Sequence, residues 1–232
     1  MQESVLKGRD ITFKFGNNII LEKCNFDIYK GDFSVITGPN GSGKSTLLRI
    51  CLGLLKQQEG TVEIYGKSID EFSNWKSIGY MPQRVEAFNP RFPATVEEVV
   101  KAPLYSESAF FSKNKEEINN IVNKSLSSVG MEKYKKRLIG KLSIGQQQRV
   151  FIAKALANNP TIIFMDEPTA GIDNKSEKKF YDLLYNLNKI KGITIIMITH
   201  NYADVKSMAN RIFCLNNNTI DEKCEAAEGS PI

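Results

Sequence analysis

The stretch GPNGSGKST, residues 38–46, has the spacing of a loop built to grip phosphate. Gly38, Gly41 and Gly43 let backbone N–H groups close round phosphate oxygens that a side chain would hold off. A helix opening at Lys44 adds the positive end of its dipole. Lys44 sets a point charge against terminal phosphates, and the Ser45 hydroxyl can hold Mg²⁺. The competing reading is a Gly-rich turn without function. The apolar FSVIT just ahead and the helical periodicity of KSTLLRICLGLL just behind argue against it.

Two carboxylates close another apolar run, TIIFMDEP. Asp166, at the carboxyl end of a buried strand, sits where ligands bind in open α/β sheets, and it can hold Mg²⁺ directly or through water. Glu167, next along, can orient or deprotonate an attacking water. By itself such a strand end resembles a helix-capping acid; beside a phosphate loop it reads as a nucleotidase motif. TIIMITHN is a further apolar run, ending in His200, the only histidine of the chain. A lone histidine is more often structural, but at a strand end it can hydrogen-bond a terminal phosphate without fixed charge. Gln83, in YMPQR, offers a neutral amide to Mg²⁺ or water, against the default of an exposed loop glutamine. Phe15 offers an aromatic face to a base. An ordinary strand aromatic carries nearly equal weight, and Phe13 faces the same side.

A second anion-binding tip is spelled by KLSIGQQQRV, residues 141–150. Ser143 and Gln146 have capping-box spacing, with Ser143 as N-cap and Ile144 as the first helical residue. Gly145 keeps the tip slim enough for phosphate to reach the backbone. The plainer reading is a well-capped helix.

These residues need a frame. The 232 residues and 41% hydrophobic content suit one large domain, or one domain carrying an inserted lobe. Residues 4–37 read as strands, GTVEIYG and SIGYMP as further strands. Residues 84–141 change character: RVEAFNPRFP is loop-like, TVEEVV opens a helix with Thr95 and Glu98 as a capping box, and KEEINNIVNKSLSSVGM is amphipathic. Helix and strand then alternate to RIFCLN, which argues a buried parallel sheet. The net charge of +5 comes from scattered lysines and reads as a solvated face. Cys24, Cys51, Cys214 and Cys224 lack metal-site spacing and read as buried thiols in a reducing compartment. No apolar run reaches the roughly 20 residues of a membrane helix, and the N-terminus lacks a signal-peptide core. A cytosolic protein that meets a membrane only through a partner is expected.

In this order the motifs resemble the ATP-binding subunits of ABC transporters, over nearly the whole chain. The resemblance rests on GPNGSGKST (Walker A), Gln83 (Q-loop), LSIGQ (signature), IIFMDE (Walker B), AGID (D-loop) and His200 (switch histidine). It implies an α/β fold of the P-loop NTPase ABC type, with a mostly parallel core sheet, an N-terminal antiparallel β subdomain and an inserted helical subdomain. Residues 1–83 and 142–232 would be the core lobe, and 84–141 the insertion. It implies ATP hydrolysis with Mg²⁺, with Glu167, His200 and Lys44 catalytic and Ser45, Gln83 and Asp166 on the metal. Phe15 would stack on adenine, and Gly38, Pro39, Asn40, Gly41, Ser42, Gly43, Lys44, Ser45, Thr46 and Gln83 would bind the nucleotide. Two copies would pack head to tail, so that Ser143, Gly145, Gln146 and Asp173 serve the neighbour's ATP in trans. The family's usual signature has Gly where this chain has Ile144, and a β-branched residue is poor wherever φ must be positive.

The stretch FNPRFPATVEEVV resembles the corresponding segment of zinc and manganese importers. That resemblance implies permease subunits in the membrane, an extracellular substrate-binding protein, and a place on the cytoplasmic side of the membrane, with no nucleic acid bound. The alternatives are another cargo, such as an amino acid, other small solute or lipid-linked substrate, or a soluble ABC-type ATPase. The latter class usually carries paired ATPase units or a long coiled coil, and neither occurs here.

Overall fold

The computed structural model describes residues 2–83, 93–105 and 114–222. In chain order the strands are β1 (Ser4–Phe15), β2 (Asn18–Tyr29), β3 (Phe33–Thr37), β4 (Glu59–Ile64), β5 (Lys67–Ser68), β6 (Ile78–Met81), β7 (Ile162–Asp166), β8 (Thr194–Ile198), β9 (Arg211–Asn216) and β10 (Thr219–Glu222). The helices are α1 (Lys44–Cys51), α2 (Val96–Lys101), α3 (Lys115–Ser127), α4 (Ile144–Leu156), α5 (Asn174–Lys189) and α6 (Tyr202–Val205). They fall into two compact units, one of residues 1–75 and 188–232, the other of 76–187. The segment 84–141, expected as an insertion, falls wholly within the second unit. The loop reading of 84–92, Cys224 and the last ten residues lie outside the described residues.

In the first unit, β1 and β2 form a long antiparallel hairpin, and β4 and β5 extend it in the order β2-β1-β4-β5. This is the N-terminal antiparallel subdomain. A second sheet runs β10-β9-β3-β8, with β3 parallel to both β8 and β9. Phe33, Val35 and Ile36 of β3 and all five residues of β8 are buried, as strands covered on both faces must be. At the amino end of β3, buried Asp32 accepts from the Tyr29 amide at 2.8 Å and from Asn210 Nδ2 at 2.6 Å. Asn188 Nδ2 donates to the carbonyls of Gly31 and Ile193, both at 2.9 Å. These bonds tie polar groups that would be costly if buried unpaired. They also leave the carboxyl ends of β3 and β8 as the place for chemistry.

Strand β10 was not expected. Asn217 and Asn218 have φ of 46° and 66° and turn β9 back into β10. Asn-rich two-residue turns with φ positive at both positions suit hairpins, so NNN at 216–218 carried the signal. The cysteine reading also needs correction. Cys24 and Cys51 are free and buried, and burial pushes the Cys51 thiol up to about 12. Cys214, however, is disulfide-bonded. Bonding depends on how closely Cβ atoms approach in space, which spacing along the chain does not report.

In the second unit β6 and β7 pair in parallel, with Met81 opposite Met165. Three helices open with complete capping boxes: Thr95 with Glu98 on α2, Asn114 with Glu117 on α3, and Ser143 with Gln146 on α4. Each box satisfies amides that the helix itself leaves without partners. Glu97, on the first turn of α2, is enclosed by Lys101, Lys136 at 2.6 Å and Lys135 at 3.9 Å. Hydrogen bonds from Lys101 and Lys136 hold its carboxyl at about 2. No helix among the described residues is long and apolar enough to cross a membrane.

Candidate functional site

The first unit carries the phosphate loop. It runs from the end of β3 to α1, with Gly38, Gly41 and Gly43 at φ of 147°, 81° and 101°. At Gly38 a Cβ would lie 2.1 Å from the Leu215 carbonyl oxygen, and at Gly43 one would lie 2.9 Å from Ile20 Cγ2. Both positions therefore demand glycine for space as well as for conformation. Lys44 is 6% exposed, and its Nζ donates to the carbonyls of Gly38 at 2.9 Å and Pro39 at 2.7 Å. The ammonium thus holds the mouth of the loop in shape. Pro39, Asn40 and Gly41 are exposed, and Ser42, Ser45 and Thr46 half-buried.

Strand pairing brings His200 to the same edge. Ile36 of β3 lies opposite Ile198 of β8, and the Thr199 amide donates to the Ile36 carbonyl at 3.2 Å. Gly38 and His200, each two residues further on, therefore share one end of adjacent parallel strands. His200 is exposed there. Phe15 ends β1 at 54% exposure, whereas Phe13 is 5% exposed and meets it edge to face at 4.8 Å. The partner strand β2 packs through Ile20 and Leu21 against Gly43. Of the two phenylalanines, Phe15 is the one that offers a face beside the phosphate loop.

The second unit carries the carboxylates. Asp166, the last residue of β7, is buried. Glu167 follows in the left-handed region, at φ of 45°. For a residue with a Cβ this costs on the order of 1 kcal/mol and persists only where surroundings enforce it. Here Gln83 Nε2 donates to Glu167 Oε2 at 2.8 Å. The β6–β7 register, Met81 opposite Met165, places Gln83 and Glu167 each two residues beyond that pair, at the same end of the two strands.

The LSIGQ helix is built as its spacing foretold. Ser143 Oγ accepts from the Gln146 amide at 3.3 Å, and Gln146 Oε1 accepts from the Ser143 amide at 3.1 Å. Ser143 and Ile144 are exposed at the tip, and Ile144 is not among the residues with positive φ. Asp173 is exposed and caps α5, accepting from the Ser176 amide at 3.0 Å. That hydrogen bonding to Ser176 holds its carboxyl pKa below the usual carboxylate value. Sequence reasoning passed over Gln148. It is 3% exposed, and its Nε2 donates to the Ala170 carbonyl at 3.4 Å. Its position three and four residues before buried Phe151 and Ile152 on α4 was the available signal.

The groups present fit a nucleotide with its metal. The two crowded glycines form a cradle that any Cβ would fill. Ser42 Oγ is buried without a hydrogen-bond partner among the described residues, as suits a donor for a phosphate oxygen. Oxygen donors of the type Mg²⁺ prefers stand at Ser45 in the first unit, and separately at Gln83 and Asp166 in the second.

Comparison with known proteins bears on this geometry. Residues 21–170 match the family model described as ABC transporter. The zinc uptake system ATP-binding protein ZurA of Listeria monocytogenes is 39% identical over 222 residues, covering 94% of this chain and 85% of that protein. The manganese transport system ATP-binding protein MntB of Halalkalibacterium halodurans is 37% identical over 216 residues, covering 93% of this chain and 84% of that one. Among solved structures, a chain of the dimeric structure of MJ0796, a bacterial ABC transporter cassette, superposes with a TM-score of 0.77 at 33% identity, covering 94% of this chain and 97% of that one.

Proposed function

The chain belongs to the ABC transporter family, and on that premise we propose that it powers the import of a divalent metal ion, zinc or manganese, by hydrolysing ATP. The observation that carries the hydrolytic part is Glu167, bent into the left-handed region and hydrogen-bonded to Gln83 at the end of β7. A carboxylate so held can take the proton from a water attacking the γ-phosphorus, while the bond to the bridging oxygen breaks and ADP leaves. Lys44 compensates charge on the β- and γ-phosphate oxygens, and His200 donates a hydrogen bond to the γ-phosphate. Phe15 stacks on the adenine ring.

Mg²⁺, held by Ser45, Gln83 and Asp166, would neutralise phosphate charge that builds up as the bond breaks. Two copies of the chain close head to tail on ATP. In that arrangement Ser143, Gly145, Gln146 and Asp173 of one copy face the phosphates bound by the other. Hydrogen bonds from both sides hold the shared γ-phosphate. Hydrolysis removes it, and the difference in affinity between closed and open states does the work. The cargo crosses through permease subunits, to which this chain docks on the cytoplasmic face. A substrate-binding protein outside the cell delivers the metal. Zinc and manganese are favoured because relatives named for those two metals match more than nine-tenths of the chain.

The test is reconstitution with its permease in vesicles and measurement of ATP-driven uptake of radiolabelled zinc and manganese. Uptake of one of the two, abolished when ATP is withheld, is expected. ATP turnover with no uptake of either metal would overturn the cargo.

A further inference from the structure

Gly145 stands in the LSIGQ tip, where its lack of a side chain was expected to let phosphate approach the backbone. The second unit supplies a different reason within the same chain. A Cβ at Gly145 would lie 3.1 Å from Ser176 Cβ and 3.5 Å from Ile172 Cγ2. The first of these is closer than ordinary van der Waals contact, so a neighbour would have to retreat by a few tenths of an ångström. The first turn of α4 therefore rests directly on the first turn of α5, at Ser176, and on the loop that leads into it, at Ile172.

That loop is short and braced throughout. It begins at Glu167, whose carbonyl accepts from the Ala170 amide at 3.3 Å. The Thr169 carbonyl accepts from the Ile172 amide at 3.1 Å. The Thr169 hydroxyl meets the Tyr181 hydroxyl at 3.2 Å, and Tyr181 donates to Glu177 at 3.0 Å. Asp173 closes the run by capping α5 at the Ser176 amide. A second strut reaches the loop from α4, where buried Gln148 donates to the Ala170 carbonyl. A push on Ser176 has little slack to absorb it, and it is transmitted to Asp173 at one end and toward Glu167 at the other.

The geometry points to Gly145 as a positioning residue that seats the signature tip on residues 167–176 of its own chain, the loop and first turn of α5. Ser176 is the surface on which it seats. The joint holds two groups in fixed relation: the helix tip offered to the second copy, and the loop that joins Glu167 to Asp173. Its effect on turnover rests on the ATPase reading above. The packing itself does not.

The experiment is a set of double substitutions. Gly145→Ala is made in the natural background, with Ser176→Gly, which removes the opposing Cβ, and with Ser176→Ala, which keeps it. ATP hydrolysis is measured in the assembled transporter, and amide exchange across residues 169–177 in the subunit alone. In the natural and Ser176→Ala backgrounds, Gly145→Ala is expected to lower kcat about fivefold, with KM for ATP unchanged, and to speed exchange across the loop. In the Ser176→Gly background it is expected to leave exchange across the loop within about twofold of that background's own value, and to cost clearly less kcat than in the other two. An equal loss of kcat in all three backgrounds would overturn the proposal, since Gly145 would then be spared for the second copy's phosphate. No loss in any background would overturn it too. Should the natural complex not hydrolyse ATP at all, the function proposed above fails. The exchange measurement then decides alone: dependence on Ser176 upholds the joint, and independence refutes it.

Discussion

Gln83 Nε2 lies 2.8 Å from Glu167 Oε2, across two parallel strands whose pairing sets both residues two positions beyond the matched Met81 and Met165. This amide hydrogen bond helps to aim a carboxylate that its own backbone has turned into a strained conformation. A neutral donor suits this task. It orients the carboxylate without neutralising it, as a lysine would, and without repelling it, as an acid would.

Glu167→Gln is expected to bind ATP with unchanged affinity and to lose turnover at least about a hundredfold, the usual worth of a positioned general base. ATP binding and single-turnover hydrolysis in the assembled complex measure the two separately. Full turnover in this variant would remove Glu167 from its role.

Gln83→Ala should lower kcat about tenfold with little change in KM for ATP, since it frees the carboxylate without removing it. A rise in KM with kcat intact would instead make Gln83 a binding residue.

The two phenylalanines at the end of β1 should respond oppositely. Phe15→Ala is expected to weaken ATP binding about tenfold, as loss of one base-stacking face does, with the melting point almost unmoved. Phe13→Ala empties a core position and should cost about 3 kcal/mol of stability. Equilibrium binding and thermal melting distinguish them.

Glu97 is expected to make stability fall in acid. Its carboxyl is held at about 2, below the ordinary 4.5, by hydrogen bonds from Lys101 and Lys136. A depressed folded-state value means stability that is fully present above 4.5 and drains away as pH falls toward 2. Glu97→Gln should therefore melt about 3 °C lower at pH 7. The gap between variant and natural protein should close through that window.

Ile144 occupies the first position of α4 without a positive φ, so its β-branch is unstrained. Ile144→Gly is expected to change ATP turnover of the assembled complex by less than about tenfold. It should lower helix stability by about 1 kcal/mol. A tenfold gain in turnover would mark the isoleucine as a defect.

Much of this was legible in the chain itself. The phosphate loop, the carboxylate pair after an apolar run and the capping box at Ser143 are local patterns, each set by neighbours within a few residues. Local patterns survive without tertiary context because glycine conformation, strand burial and helix capping act over that range. The two helices of residues 95–127 and the final helix–strand alternation were readable for the same reason.

What the chain alone left open was every relation between residues distant in sequence. Phe13 and Phe15 looked equivalent until packing buried one and left the other exposed. Gln83 was an ordinary loop glutamine until β6 paired with β7 and brought it to Glu167. The bonded state of Cys214, the lysines gathered round buried Glu97, and the seat of Gly145 on Ser176 likewise depend on Cβ distances that no spacing reports. Sequence determined which groups this protein has for gripping and cutting a phosphate chain. Tertiary structure decided which of them touch, because strand register and side-chain packing are settled only when separate elements meet and exclude water together.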